Sequence, residues 1–261
     1  VVALGILVDN AIVMSEEVQA RLNEGQTPTA AATGAIASLA GPLFAATGTT
    51  LWPTALPLLL HLQGVYPRVQ DSLGVSRPLR VLELGAGCGL LGLGLAATCG
   101  ANVCLTESAF ALDDDGEHTS LSWLQSNVEA NREIVESTNL GGVVSTAKLC
   151  WGESDDHDAL REQQPDLFDL VIASDVMYDA GKYPMLLDTL TTFAGSSEEA
   201  IKPRGADIDD AAAILGYQMR IGAERRFGDE AEDFDVVRTE LPDPSQKSRW
   251  TAKNVAYFVR S

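Results

Sequence analysis

Residues 81–90 read Val-Leu-Glu-Leu-Gly-Ala-Gly-Cys-Gly-Leu, and this stretch decides the fold. Strand-forming residues run into three glycines spaced two apart, and a glycine-studded apolar run over residues 91–97 follows at helical length. Glycines let the backbone of such a turn approach a ligand closely, and the helix that follows offers unpaired N–H groups. The order predicts a strand, a tight turn and a helix, with a nucleotide-type pocket at the carboxyl end of a parallel strand.

Two acidic residues bear on this predicted pocket. Glu107 ends the next predicted strand and follows Gly87 by 20 residues, the distance at which a carboxylate meets ribose hydroxyls in such folds. Glu83 is a charge inside the first strand, which suggests that it meets a cationic or hydroxyl-bearing group of the ligand. The alternative interpretation is a glycine-rich turn that binds no ligand, with Glu107 on the surface.

The glycine spacing leaves the choice of nucleoside open. Residues 87–92 satisfy the pattern G-x-G-x-x-G, which favours an NAD-binding enzyme. In the dinucleotide fingerprint the first glycine follows the strand directly, whereas Gly85 and Ala86 intervene here. The later sequence also lacks a constellation of side chains that handles a hydride, so NAD is the weaker prediction.

Strand and helix patterns alternate along the chain from residue 79 onward. The predicted strands cover residues 79–84, 102–106, 143–149, 167–173, 211–218, 235–241 and 254–260, and the predicted helices cover 90–98, 120–136 and 183–193. Such an alternation indicates an α/β fold with a doubly wound, largely parallel sheet. A further apolar helix is expected after Trp52, and polar loops are expected over residues 113–117 and 195–210.

Charge and cysteine usage limit the partners. The 261-residue chain has a net charge of −19, and residues 76–261 hold 32 acidic and 16 basic residues, a net of −16. Such a surface repels phosphate backbones and attracts basic groups, so we expect a basic or lysine-presenting protein substrate and no nucleic acid. The four cysteines form no C-x-x-C pair and share no metal-ligand spacing with the three histidines. This pattern predicts reduced cysteines in an intracellular setting and no metal site.

Residues 1–47 have a different character. Gly5–Glu17, Glu24–Pro28 and Gly41–Leu43 resemble part of a resistance-nodulation-division efflux pump, with Asp9 at the place of a proton-relay residue. The first apolar run holds about 14 residues, fewer than the roughly 20 that a bilayer requires. We therefore interpret residues 1–47 as an apolar helical remnant that begins at a truncation, and a transport fragment is the alternative. The predicted localisation is cytoplasmic, with membrane contact only if the remnant inserts.

The rest of the chain carries a second resemblance. The stretches Leu51–Trp52, Val81–Gly89, Leu105–Glu107, Leu124–Asn131, Leu149–Gly152, Phe168–Tyr178 and Arg220–Phe227 follow one another in a recognisable order and spacing. In these the sequence resembles the seven-strand S-adenosylmethionine-dependent methyltransferases, and among them the protein-lysine methyltransferases marked by an Asp-x-x-Tyr motif. The resemblance implies a Rossmann-like methyltransferase sheet over a domain of residues 48–261, S-adenosylmethionine as the cofactor, and a monomer.

The resemblance also implies the roles of individual residues. The residues that would contact the cofactor are Trp52, Glu83, Gly85, Ala86, Gly87, Glu107, Trp151 and Ser174. Glu107 would take the ribose hydroxyls and Trp151 would lie near the adenine. Asp175 and Tyr178 would form the Asp-x-x-Tyr motif and face the substrate amine as catalytic residues, although an aspartate in the position of Asp175 could instead cap a helix.

The predicted activity is methyl transfer to a lysine side chain of a protein. A lysine amine is protonated at neutral pH, its ordinary pKa being about 10.4, so the pocket has to hold and deprotonate it. A non-catalytic module that keeps the fold and the cofactor pocket is the alternative.

Overall fold

A computed structural model describes residues 25, 52–111, 118–177, 179–197, 208–218, 227, 231, 234–241 and 253–260. Of the predicted site residues, Tyr178 lies outside the described residues. The predicted N-terminal remnant also lies outside them, apart from a turn residue at Gly25.

Helices and strands alternate as predicted. The helices are α1 (Ala55–Leu73), α2 (Leu90–Cys99), α3 (Ser120–Ser137), α4 (Ser154–Gln163) and α5 (Tyr183–Phe193), and the strands are β1 (Arg80–Leu84), β2 (Asn102–Glu107), β3 (Val143–Lys148), β4 (Leu170–Ser174), β5 (Ala213–Gln218), β6 (Phe234–Glu240) and β7 (Lys253–Arg260). Short 3-10 helices cover Ala180–Lys182 and Ile208–Asp210. The apolar helix expected after Trp52 is α1.

The described strands form one seven-stranded sheet in the order β3-β2-β1-β4-β5-β7-β6. Strands β1 to β5 pair in parallel, whereas β7 runs antiparallel to both β5 and β6. The predicted doubly wound, largely parallel sheet is therefore confirmed. The chain winds outward from β1 to β3 and then returns to β4 on the other side of β1, so the order of strands reverses between β1 and β4. A ligand crevice is expected at the carboxyl ends of strands at such a point.

Two apolar cores lie on the two faces of this sheet. Successive side chains of a strand point to opposite faces, and in β1 Val81 packs into one core while Leu82 packs into the other. The first core contains buried residues of α1, α2 and α3, and the second contains buried residues of α4 and α5. The strands at the centre are therefore covered on both faces, which explains their continuous apolar sequences.

The sequence patterns did not predict α4. Its sequence is mostly charged or polar, and only His157 and Leu160 are buried. Asp155 and Asp156 occupy its first turn, where negative charge interacts favourably with the helix dipole. The strand predicted over residues 167–173 covers Leu170–Ser174 in the structure. Asp169, just before it, binds Arg77 and the Arg80 N–H through its side chain.

Asp169 anchors the amino-terminal edge of the sheet. Its buried carboxylate accepts hydrogen bonds from the Arg77 guanidinium at 2.6 and 3.0 Å, from the Arg80 N–H at 2.8 Å and from the Ser197 hydroxyl at 2.6 Å. Burial opposes ionisation, but these hydrogen bonds outweigh it and lower the pKa of Asp169 to about 2. This network lies at the opposite end of β4 from the predicted ligand crevice.

We expect Asp169→Ala to lower the free energy of unfolding by about 3 kcal/mol, because it removes the buried carboxylate that pairs with the half-buried Arg77 guanidinium and accepts from the Ser197 hydroxyl. The folded-state pKa is depressed, so this stabilisation is present above pH 4 and is lost as the pH falls toward 2. Urea denaturation at pH 7 and at pH 3 measures both effects. Asp166→Ala is the control, since Asp166 is 83% exposed and lies 4.0 Å from Arg80. Equal stability of the two variants would contradict the role of Asp169.

Candidate active site

The turn after β1 depends on left-handed backbone conformations. Gly85, Gly87 and Gly89 have φ angles of +59°, +56° and +84°, which side-chain-bearing residues rarely adopt. A Cβ atom at Gly85 would lie 3.2 Å from Cζ2 of Trp151 and 3.2 Å from Cγ1 of Val176. The Trp151 ring therefore lies directly against the glycine turn, as the prediction of a shared pocket requires.

Glu107 is bound to this turn from the neighbouring strand. Its Oε2 accepts a hydrogen bond from the Gly87 N–H at 3.0 Å, and its Oε1 accepts one from the Ser108 N–H at 3.2 Å. Burial raises the pKa of Glu107 above its ordinary value, although both N–H groups act in the opposite direction. Glu107 thus lies against the glycine turn, and its predicted contact with ribose hydroxyls stays a prediction.

Glu83 lies beneath the first turn of α2. Its side chain is buried, and its Oε2 accepts a hydrogen bond from the Gly92 N–H at 2.8 Å. Desolvation raises the pKa of Glu83 to about 8, so the group is mostly uncharged at neutral pH. A Cβ at Gly92 would lie 2.5 Å from Glu83 Oε2, so the third glycine of the G-x-G-x-x-G pattern serves close packing of α2 on the sheet. The carboxyl supports the helix, and its contact with a ligand stays a prediction.

Five of the eight residues predicted to contact the cofactor share a small cleft between β1 and β4, whereas Gly87, Glu107 and Trp151 are not part of its lining. Trp52, Glu83, Gly85, Ala86 and Ser174 all line it. Its volume of about 20 Å³ suits one small group rather than a whole nucleoside. A larger ligand would place only a part of its structure in the cleft. Alternatively, a lining side chain such as Trp52 would have to move to admit it.

Ser174 ends β4 on the wall of this cleft. Its Oγ atom is buried and has no hydrogen-bond partner among the described residues. Buried hydroxyls in native proteins are rarely left without a partner. The predicted contact of Ser174 with the cofactor would give this hydroxyl a partner and stays a prediction.

Asp175 follows Ser174 and has a strained backbone. Its φ is +57°, a left-handed conformation that is uncommon outside glycine and that is found disproportionately at functional sites. Its Oδ2 accepts a hydrogen bond from the Thr54 N–H at 3.2 Å, and its Oδ1 accepts one from the Gln218 N–H at 3.1 Å. The carboxylate thus joins the segment before α1 to the ends of β4 and β5. The 3-10 helix that follows has Asp179, and not Asp175, as its N-cap.

Three contributors to this site did not emerge from the sequence patterns. Thr54 and Gln218 act through their backbone N–H groups, which leave no trace in the identity of a side chain. Asn127 of α3 donates a hydrogen bond from Nδ2 to the Cys88 carbonyl at 3.1 Å and so stabilises the glycine turn. The recurrence of Asn at positions 127 and 131 was the available signal, because polar amides four residues apart share a helix face.

Neither a metal cluster nor a membrane span occurs in the part of the chain that the structure describes. The described residues contain no group of three or more His, Cys, Asp or Glu side chains arranged to hold a metal ion. No helix among them is both long enough and apolar enough to cross a bilayer.

Comparison with known proteins identifies the family. The sequence model of a family described as lysine methyltransferase matches residues 42–205. The chain belongs to this lysine methyltransferase family. Lysine methyltransferases of this family take the transferred methyl group from S-adenosylmethionine, so the predicted cofactor is confirmed.

Individual relatives of this chain include lysine and arginine methyltransferases. A zebrafish protein N-lysine methyltransferase METTL21A is 37% identical over 148 residues, which cover 57% of this chain and 53% of that protein. EEF1A lysine methyltransferase 3 of Xenopus tropicalis is 34% identical, covering 44% of this chain and 42% of that one. Histone-arginine methyltransferase METTL23 of Xenopus laevis is 31% identical, and the match covers 75% of this chain and 74% of that protein. The chain thus spans about half the length of the two lysine methyltransferases.

We expect the stability of the protein to depend on pH through Glu83. Its folded-state pKa is raised, so its stabilising contribution is complete below about pH 4.5 and is lost as the pH rises toward 8. Glu83→Gln keeps an oxygen for the Gly92 N–H but cannot ionise. The variant should match the wild type near pH 4.5 and exceed its free energy of unfolding by a few kcal/mol at pH 8. A difference that stays constant between these two pH values, measured by chemical denaturation, would contradict a neutral Glu83.

Proposed function

We propose that this chain transfers a methyl group from S-adenosylmethionine to a lysine side chain of a protein. The observation that carries the proposal is the position of Asp175. Asp175 has a strained backbone and follows β4 at the point where the order of strands reverses. The glycine turn that follows β1 lies beside it. Membership of the lysine methyltransferase family supports the same conclusion.

The residues at the carboxyl edge fit S-adenosylmethionine. The glycine turn brings the Cα of Gly85 against the Trp151 ring, and the buried Ser174 hydroxyl, which has no partner among the described residues, offers the ligand a polar contact. In the proposal Glu107 accepts hydrogen bonds from the ribose hydroxyls, and Trp151 lies near the adenine. The bound cofactor supplies an activated methyl group on a positively charged sulfur. The remaining task of the protein is to align the acceptor with that methyl group and to exclude water.

Asp175 is proposed to orient the acceptor amine. A carboxylate accepts about four hydrogen bonds, so it can serve a substrate amine as well as backbone N–H groups. The low-dielectric surroundings of a buried group favour the neutral amine, which is the nucleophilic form. Tyr178, the second member of the Asp-x-x-Tyr motif, is proposed as its partner in holding the amine, although it lies outside the described residues.

The charge of the chain supports a basic protein as the substrate. The net charge of −19 attracts a lysine-presenting surface and accelerates its encounter with the site. One relative is named for methylating EEF1A, which makes that protein a first candidate substrate.

Arginine is the second candidate acceptor. The match to the relative named as a histone-arginine methyltransferase covers 74% of that protein. The matches to the two lysine methyltransferases cover smaller shares of those proteins. A guanidinium has a pKa above 12 and loses a proton far less readily than an amine, so an arginine acceptor would need a stronger proton acceptor.

The proposal also extends to parts of the chain outside the site. We propose a domain of residues 48–261 that acts as a cytoplasmic monomer, preceded by a remnant of an efflux pump over residues 1–47. Sedimentation of the full chain and its recovery from cells without detergent test these points. A detergent-dependent oligomer would contradict them.

Methyl transfer can be tested directly with the full chain. Isotope-labelled S-adenosylmethionine is incubated with the protein and either recombinant EEF1A or histones, and the modified residue is identified by mass spectrometry. We expect label on lysine. Label on arginine alone would replace the first candidate by the second, and binding of the cofactor without any transfer would support a non-catalytic module.

Asp175→Asn should lower the turnover of methyl transfer at least a hundredfold while the chain stays folded, because the amide lacks the charge that orients the amine. Asp179→Asn is the matched control, since this nearby aspartate is exposed and bonds only locally to the Gly181 N–H. It should retain wild-type turnover. The role of Asp175 fails if both variants keep full activity with the same melting temperature.

A further inference from the structure

A single buried hydroxyl links the turn after β3 to two helices. The Gly152 N–H donates to Oγ1 of Thr189 in α5 at 3.0 Å, and Nε2 of His157 in α4 lies 3.2 Å from the same oxygen. The Thr189 hydroxyl itself donates to the Met185 carbonyl at 2.9 Å. Thr189 and His157 are both buried, so the contact between them is shielded from water, whereas Gly152 and Met185 are exposed residues.

The hydrogen bonds around this hydroxyl form a consistent set. A hydroxyl has one proton to donate and two sites that accept. The Thr189 hydroxyl donates its one hydrogen bond to the Met185 carbonyl. Its oxygen therefore accepts hydrogen bonds from both the Gly152 N–H and the His157 Nε2–H. Burial lowers the pKa of His157, which favours the neutral imidazole, and Asp188 at 3.9 Å only partly opposes this.

The turn held in this way carries Trp151. Gly152 has a φ of +76°, and a Cβ there would lie 3.0 Å from Cβ of Met185, so the turn is packed tightly against α5. Trp151 immediately precedes Gly152, and its ring lies against Gly85 in the glycine turn. The position of the ring is therefore determined by α5 and α4 as well as by the strand from which the turn emerges.

We propose that Thr189 and His157 are positioning residues of the cofactor site, which fix the Trp151–Gly152 turn and thereby set the affinity for the nucleoside cofactor. The inference rests on the proposed function, because the Trp151 ring affects cofactor affinity only if it borders the bound nucleoside. Neither residue touches the cofactor in this account. Both act through the Gly152 N–H.

Thr189→Val tests the inference with almost no change of shape. It removes the acceptor of the Gly152 N–H and of the buried His157 Nε2–H, whereas Thr189→Ser keeps the hydroxyl. Calorimetric titration of the full chain with S-adenosylhomocysteine should show the dissociation constant rising about tenfold for Thr189→Val and staying within twofold of the wild type for Thr189→Ser. A Thr189→Val dissociation constant within twofold of the wild type, at unchanged melting temperature, would overturn the inference.

Trp151→Ala shows whether Thr189 acts through the ring. If it does, adding Thr189→Val to Trp151→Ala produces no further loss of affinity, whereas fully additive losses would overturn the inference. His157→Leu is a second variant with an expected loss of about threefold, and it decides the matter if Thr189→Val does not fold. Unchanged affinity in His157→Leu would then overturn the inference.

Different results would contradict the proposed function and the positioning role of Thr189 and His157. A wild-type chain that binds no S-adenosylhomocysteine contradicts the proposed function. A wild-type chain that binds it, with affinity indifferent to Thr189 and His157, contradicts the positioning role alone.

Discussion

The left-handed backbone of the turn after β1 is the constraint on which the site depends. Gly85, Gly87 and Gly89 bring the chain from the sheet into α2 within a few residues. Because the turn is so tight, α2 lies close enough to the sheet for Gly92 to bond to the Glu83 carboxyl, and Gly87 lies within reach of Glu107. Side chains at the glycine positions would strain this backbone, and the cleft, the helix and the acidic residue would separate.

The two edges of the sheet serve different purposes. At the amino-terminal edge, Asp169 has every strong partner that a buried carboxylate requires, and its contribution is to stability. At the carboxyl edge, Ser174 has an unpaired hydroxyl and Asp175 has an unfavourable backbone conformation. Such local departures from optimal structure are expected where a protein binds a ligand and are tolerated because the rest of the fold supports them. The same strand therefore carries an anchor at one end and a candidate reactive site at the other.

Local sequence was sufficient for the features that depend on a few neighbouring residues. The glycine turn, the strand that precedes it and the spacing from Gly87 to Glu107 were all predictable, because backbone conformation and strand length fix them. Helix α4 was not predictable from apolar periodicity, since its stability comes from two buried side chains and favourable charges in its first turn. The bonds from Asp175 to Thr54 and Gln218 join residues 121 and 43 positions apart through backbone groups, so no pattern of side chains reveals them. The hydrogen bond from the Gly92 N–H to Glu83 is likewise not visible in the sequence, and the predicted contact of Glu83 with a ligand stays a prediction.

In the proposed enzyme the carboxyl ends of β1, β2 and β4 together form one cofactor site. A crystal structure of the full chain with S-adenosylhomocysteine would locate that site. We expect the ribose hydroxyls on Glu107, the sulfur between the glycine turn and Ser174, and Asp175 facing the open side of the sulfur. A ligand bound elsewhere on the chain, or a ribose that does not touch Glu107, would contradict it.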